Sequence, residues 1–542
     1  NKIDKNDKDI QLNKYTVFDE NEENFNELFI DTKNHNLKNE QLFKKRIMGL
    51  TSYFKSPQEK LMPSYDSEKN FHLFRIPMSK YQLGIYEQAR VDERKEELNN
   101  IKKRKNPLYD NETNSSTYRI FSRAYCNFVF PNTIKRPMPN ENNKEDVAAL
   151  ETVNVIEDDE IDNLVSDRTY QTRINEALEF LKENSEEYLK QPGLEIYSPK
   201  FSKILENILN PLYKGLHLVY SNFKTLEGIG ILKLVLLANG FVEFKIIKNK
   251  GGIWSVNMNE DNIGKPAFVS YTGDEDDETK EIYRNIYSNN WENIPVTIAE
   301  QLKKSSSNNI YGDIIKIFMI TSSGAEGISL KNGRYVHILE PYWHPVRVEQ
   351  VIGRVRRICS HQELDPKDRT VEVFMYLMTF SEEQIKDQLS TELMLKDRSL
   401  LDSKVVLTTD EYIYEKASIK EKINKNFIKN MKESAIDCNL HKSSDEKDKY
   451  TCFSYNSANI NNYLYAPSIY EDEEDLVSKL NEEVVKLKAK KITLGVKEYA
   501  ITDDLKLYDY DSYIRAINEP GQEPLYIGKL DKISKPPRII YE

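Results

Sequence analysis

The sequence predicts an α/β fold: a doubly wound parallel sheet with flanking helical and irregular segments, followed by a small C-terminal α+β module. Three observations carry this expectation. Short apolar runs recur at Gly215–Ser221, Phe241–Ile247, Ala267–Tyr271, Ile315–Ile320, Tyr335–Leu339 and 371–378. Runs of that length that stay apolar fit strands buried inside a sheet. Between them, 225–239 and 275–288 have helical character, as the crossovers between parallel strands require.

Composition sets outer bounds. A chain of 542 residues has room for two or more domains and a sizeable core. Charged residues make up 30% against 39% hydrophobic, the balance of a soluble protein. The longest apolar stretch, Ile231–Val242, is interrupted by Lys233 and is too short to span a bilayer, so no membrane role is expected. The net charge of −11 excludes a wholly basic, histone-like binder and leaves nucleic-acid contact to a local patch. Four cysteines, Cys126, Cys359, Cys438 and Cys452, are too few and scattered for a disulfide framework, which points to a reducing compartment. No signal peptide is visible, and the chain opens on Asn rather than Met, so further sequence is expected upstream.

In chain order, residues 1–40 are polar, with weak apolar clusters at Tyr15–Phe18 and Phe25–Ile30. Asn70–Met78 alternates like a strand, and Ser79-Lys-Tyr-Gln82 opens a helix containing Tyr86. Residues 87–105 form a charged helix ending in Lys102-Lys-Arg-Lys105, read as a solvated face. Tyr118–Pro131 is aromatic-rich and expected inside, whereas the acidic 139–169 reads as a flexible insertion. Thr409–Asp437 is a long helical run with Lys and Glu at i, i+4 spacing. Beyond polar linkers at 442–449 and 471–475, residues 486–542 read as short strands with a Gly-Gln turn at 521–522.

One stretch organises the rest. From Phe318 to Arg357 the order is apolar strand, small-residue loop Thr321-Ser-Ser-Gly-Ala-Glu-Gly327, second strand, Trp343-His-Pro345, then Gln350-Val-Ile-Gly353-Arg354-Val-Arg-Arg357. On a helix Gln350, Arg354 and Arg357 would share one face, and Gly353 would permit the close approach of a phosphate. This order resembles motifs V and VI of superfamily 2 helicases, especially the Swi2/Snf2-like translocases with their WxP turn. It is similar above all to the helicases of nucleocytoplasmic large DNA viruses related to the poxvirus nucleoside triphosphatase I and early transcription factor helicase subunit. Leu216-His-Leu-Val-Tyr-Ser-Asn-Phe223 matches motif IV of that family, and Ser270-Tyr-Thr-Gly273 the loop after its next strand. Lys44–Phe54 resembles the segment leaving the first helicase lobe, and weaker likeness continues at Ala435–Cys438 and Leu507–Tyr513.

The resemblance implies a RecA-like second lobe at 192–400. It is preceded by the end of the first lobe with a linker (1–69) and a connecting segment with the acidic insertion (70–191), and followed by a family-specific module (401–542). It implies that Arg354 and Arg357 are arginine fingers reaching the γ-phosphate, with Gln350 positioning phosphate or water. Thr321, Gly324, Glu326, Gly327 and Gly353 would lie at the nucleotide, and Ser221, Asn222, Thr321 and Ser322 at nucleic acid. Glu326 departs from the Snf2 pattern, where the position is usually apolar. Arg356 and His361 are expected at solvent or the lobe interface. ATP and Mg2+ would be the cofactors, held mainly by a first lobe, because no P-loop G-x-x-x-x-G-K-[ST] occurs in the chain. Gly264-Lys-Pro has the wrong neighbours, and Asp274–Glu278 follows no buried strand in the required way. No metal site is expected: Cys438-x-x-His441 with Cys452 supplies three ligands and no fourth. Expected partners are an N-terminal RecA-like lobe, nucleic acid (DNA in preference to RNA) and a viral RNA polymerase, in the virion and host cytoplasm. The rival reading is a non-catalytic adaptor that keeps the lobe as a docking surface.

Overall fold

The computed structural model describes residues 10–14, 18–19, 21–53, 57–103, 119–138, 168–262, 264–273, 275–321, 327–386, 397–441, 451–453, 483–494, 497–518, 524–531 and 538–541. The chain divides into two compact units, Ser56–Glu421 and a second formed by Asn1–Lys55 with Lys422–Glu542. Among the described residues no helix is long and apolar enough to cross a membrane.

The larger unit is built on seven strands: β1 (Phe71–Pro77), β2 (Leu216–Tyr220), β3 (Val242–Glu243), β4 (Ala267–Tyr271), β5 (Ile317–Ile320), β6 (Gly333–Ile338) and β7 (Glu372–Thr379). They lie in the order β1-β7-β6-β2-β5-β4-β3. Every pairing is parallel, so all strands finish at one edge. This is a RecA-like α/β sheet: parallel and doubly wound as the apolar runs predict, and of the type the resemblance implies.

The reason is visible in how successive side chains divide. Leu216, Leu218 and Tyr220 of β2 enter one core with Phe318 and Ile320 of β5, while Val219, Ile317 and Met319 enter the other. Both faces being buried, the strands read as continuous apolar runs rather than alternating ones. The first face is covered by α4 (Asp277–Tyr287) and α5 (Pro345–Val355). The second is covered by α1 (Lys80–Lys103), α2 (Pro199–Leu209) and α3 (Ile229–Ala238), through residues such as Tyr86, Phe201 and Leu232.

Three features differ from expectation. The sheet reaches outside 192–400, because β1 runs beside β7 in register from Phe71↔Val373 to Pro77↔Thr379. The expected strand Phe241–Ile247 is split. Val242–Glu243 joins the sheet, whereas Ile246–Lys248 turns off to pair antiparallel with Trp254–Val256. Its turn is built by Asn249, whose Oδ1 accepts from the amides of Gly251 and Ile253, both at 2.9 Å, and by Gly252 at φ +78°. The expected helix 225–239 begins only at Ile229, because 223–228 form a tight turn. Of the acidic insertion expected at 139–169, residues 139–167 lie outside the described residues, as does the Gly-Gln turn at 521–522, whereas 168–169 open the helix Arg168–Glu183.

One polar wire crosses the second core. His217 Nε2 donates to the Tyr213 carbonyl at 3.2 Å, so its Nδ1 must accept from His337 Nε2 at 2.9 Å. His337 Nδ1 then accepts from the Tyr376 hydroxyl at 2.8 Å, whose oxygen accepts from Asn207 at 2.9 Å. Burial holds both imidazoles neutral, His217 well below its usual range and His337 down to about 3.

In the smaller unit, Phe25, Phe29, Phe43 and Phe427 pack with centroids 5.0 to 6.0 Å apart. Residues from Ala489 to Tyr541 form a five-stranded antiparallel sheet carrying the helix Tyr510–Asn518. Here one expectation is corrected. Cys438 and Cys452 are joined in a disulfide, so they are neither isolated thiols nor free metal ligands.

Candidate nucleotide and nucleic-acid site

In open parallel α/β sheets ligands gather at the carboxyl ends of the strands. Here the residues just past those ends are Ser221 after β2, Thr272 after β4, Thr321 after β5 and Glu340 shortly after β6. All four are buried.

The arginine helix α5 starts at Pro345, whose fixed φ suits the first helical position, and it buries Val351, Ile352 and Val355. It sits deep because Gly333 lies beneath it: a Cβ there would come within 2.6 Å of Val355 Cγ1. The helix stops at Val355, since Arg356 leaves helical geometry at φ −91°, ψ 82°. Gln350 and Arg354 therefore share a face, four positions apart, whereas Arg357 lies past the helix end. Gln350 is exposed, and Arg354 and Arg357 are half-buried. Arg357 turns back, donating through Nε to the Gly353 carbonyl at 3.2 Å and through Nη2 to that of Ile328 at 3.0 Å. The Leu330 amide donates to the Arg354 carbonyl at 2.9 Å. The chain that leaves the β5 loop is thus stitched to the end of α5. A Cβ on Gly353 would meet no atom within 4 Å, so the helix surface is open there.

Of the two neighbours expected at solvent or the lobe interface, Arg356 is half-buried and His361 sits in the core. The Arg356 guanidinium lies 5.6 Å from the centroid of the Tyr65 ring. His361 is 2% exposed and donates from Nε2 to the Gly333 carbonyl at 2.8 Å. Burial brings its imidazole down to about 4, so His361 is a core group and not a solvent or interface residue.

In the β5 loop, Thr321 is buried and Gly327 is exposed at φ +72°, a conformation that favours glycine. Ser322, Gly324 and Glu326 lie outside the described residues. Ser221 and Asn222 are 0% and 3% exposed. The Ser221 hydroxyl donates to the Glu340 carboxylate at 3.0 Å, and the Asn222 amide donates to the same group. Lys224 and Thr225 are half-buried at the tip of the turn. Glu340 and its neighbours Asn127 and Lys200 are what sequence patterns did not indicate; the one available signal was a charged residue placed directly after the apolar run Tyr335–Leu339.

The acidic string before α4 has ordinary work. Asp276 caps the helix through the Thr279 amide at 2.9 Å, and Glu278 accepts from Lys248 at 2.7 Å and from Trp254 at 3.0 Å. Among the described residues no group of three or more His, Cys, Asp or Glu side chains is placed to hold a metal ion. Among the described residues the site offers Arg354 and Arg357 and no carboxylate cluster placed to cage Mg2+.

The larger unit thus combines a RecA-like sheet with an arginine helix bonded to the chain that follows the β5 loop. No family model matches the chain, but whole-chain comparison finds viral relatives. The chain is 27% identical over 512 residues to the "Putative ATP-dependent RNA helicase R350" of Acanthamoeba polyphaga mimivirus, covering 85% of this chain and 55% of that protein. It is 30% identical over 270 residues to the termination factor NPH-I homolog of African swine fever virus, covering 48% of this chain and 35% of that protein. The chain is thus similar to viral proteins named as a putative helicase and a termination factor homolog, and it spans about half the length, or less, of these two relatives. The C-terminal part of the Fun30 ATPase domain aligns over 67% of this chain and 99% of its own at 15% identity, with a TM-score of 0.33 that carries no weight.

Proposed function

We propose that this chain is the arginine-bearing lobe of an ATP-dependent superfamily 2 helicase or translocase that moves on DNA during viral transcription. The observation that carries the reading is the stitch between α5 and the β5 loop, Leu330 to Arg354 and Arg357 to Ile328. It ties the chain between the β5 loop and β6 to the end of the arginine helix, and so supports a reading in which closing on a second lobe brings Arg354 to a nucleotide.

In this reading a P-loop lobe holds ATP and Mg2+, and bound ATP supplies the phosphoryl group whose transfer drives movement. Arg354 meets the charge that develops on that group, which is the work of an arginine finger. Gln350, four positions away and exposed, orients phosphate or water. Arg357 braces the loop, and Thr321, Gly327 and Gly353 shape its approach to the nucleotide. The β2 turn and the β5 loop face the nucleic-acid backbone, with Ser221 and Asn222 forming the turn from within. The transcription role follows the name of the swine fever virus relative, a termination factor. An adaptor role is the weaker reading, because a docking surface has no use for an arginine placed this way.

Two measurements test the proposal. Labelled DNA of two unrelated sequences should bind with similar affinity, and binding should weaken steeply from low to physiological salt, as phosphate contacts require. The 542-residue chain alone should hydrolyse ATP no faster than background, as expected for a sequence without a P-loop. Strong sequence preference, or metal-dependent turnover by this chain, would overturn it.

A further inference from the structure

The turn leaving β2 is held by a buried anion. Glu340 is 1% exposed, and its carboxyl group meets the Ser221 hydroxyl at 3.0 and 3.3 Å, the Asn222 amide, and Asn127 Nδ2 at 3.0 Å. The ionised form accepts from all three at once, and the amide and Nδ2 can only donate to it. Burial holds the Glu340 carboxyl above its usual range, against the smaller opposing pull of Lys200, the donors and Arg123. Lys200 is itself 0% exposed and donates to Asn127 Oδ1 at 2.8 Å and to Asp410 at 2.6 Å.

An apolar side chain could close β6 without the desolvation cost of a charge, so packing alone does not explain Glu340. Its reach does. Ser221 Oγ, oriented by Glu340, accepts from the Phe223 amide at 3.0 Å. The backbone then doubles back so tightly that a Cβ on Gly228 would lie 1.9 Å from the Phe223 carbonyl oxygen, and one on Gly230 1.5 Å from that of Thr225. Lys224 and Thr225 are presented at the tip. In the other direction, the chain runs from Glu340 through Trp343 into Pro345, the first residue of the arginine helix.

We propose that Glu340 is a positioning residue: ionised, it holds the 221–225 turn in the shape that offers Lys224 and Thr225 to a nucleic-acid phosphate backbone, and fixes that turn to the strand end from which the arginine helix departs. The inference rests on the nucleic-acid reading given above.

Two readouts on the 542-residue chain test it. In residue-resolved hydrogen exchange, Glu340→Gln should speed the Asn222 and Phe223 amides by about tenfold or more while the amides within β2 and β6 stay protected. A labelled single-stranded oligodeoxynucleotide should bind this variant about tenfold more weakly, and adding Ser221→Ala should cost little more, as expected for residues acting as one unit. Binding is compared where thermal melting shows each variant folded, so lost affinity is not lost structure. If Glu340→Gln fails to fold, Ser221→Ala, which removes only a hydroxyl, should show the same faster exchange at Phe223 and the same weaker binding. Unchanged exchange, or unchanged affinity in a variant whose turn has loosened, overturns the proposal. A wild-type chain that binds no oligonucleotide overturns the nucleic-acid role itself, and the exchange data then decide the architecture of the turn separately.

Discussion

Arg357 Nη2 donates to the Ile328 carbonyl at 3.0 Å, so the residue expected to reach for phosphate fastens one piece of backbone to another. This separates the two arginines experimentally. In a protein carrying both this lobe and a P-loop lobe, Arg354→Ala should cut ATP turnover by roughly 10³-fold, the scale of an arginine finger. Lysine should rescue poorly, because it lacks the planar fork. Arg357→Ala should lower turnover and also destabilise the lobe, by about 1–3 kcal/mol for hydrogen bonds from a charged donor. Arg356→Ala should leave turnover close to normal. If Arg357→Ala left melting untouched, the bracing role would be wrong.

The paired imidazoles make stability depend on acid in one direction. His337, down to about 3 in the folded chain, stays neutral there, whereas the unfolded chain takes up a proton below about 6.5. The stabilisation is therefore complete above pH 6.5 and is lost as pH falls toward 3. Denaturant titrations from pH 8 to pH 4 should show the midpoint falling, and His337→Gln should flatten that slope. An equally steep profile in the variant would show that other groups dominate.

Lys200 and Asp410 lie 2.6 Å apart with side chains 0% and 1% exposed. Removing one partner strands the other without water. Asp410→Ala should cost about 3–5 kcal/mol, and the double change Lys200→Met with Asp410→Leu should cost less than that single one. The comparison is a denaturant midpoint for each variant; additive losses would mean that the pair is not coupled.

The disulfide gives a countable prediction. Unfolded without reductant, the chain should show two reactive thiols, Cys126 and Cys359, and four after treatment with a dithiol. Alkylation followed by mass measurement reads this directly. Four thiols without reductant would exclude the bond.

The central strands were legible because burial on two faces leaves an unbroken apolar signature, as in Leu216–Tyr220 and Ile317–Ile320. Phe71–Pro77 was legible as a strand but not as part of this sheet, since its partner β7 lies some 300 positions away and no local pattern encodes that pairing. The arginines were found through their spacing, but the helix end was not. Nothing in Arg356-Arg357-Ile358 breaks a helix; the stop comes with a tertiary contact, the Leu330 amide donating to the Arg354 carbonyl at 2.9 Å. Glu340 was invisible for a related reason. Its meaning lies in Asn127, 213 positions upstream, and in Ser221, 119 upstream.

The depth of the arginine helix is set by an atom that is missing. With Val355 Cγ1 only 2.6 Å from where a Gly333 Cβ would stand, residues 333 and 355 share a single volume. Relatives that carry alanine at the first position should carry a smaller residue at the second, and the two should drift as a pair across descendants of a common ancestor. A lineage that enlarged one alone would lift the helix off its sheet and carry Arg354 away from any nucleotide it served.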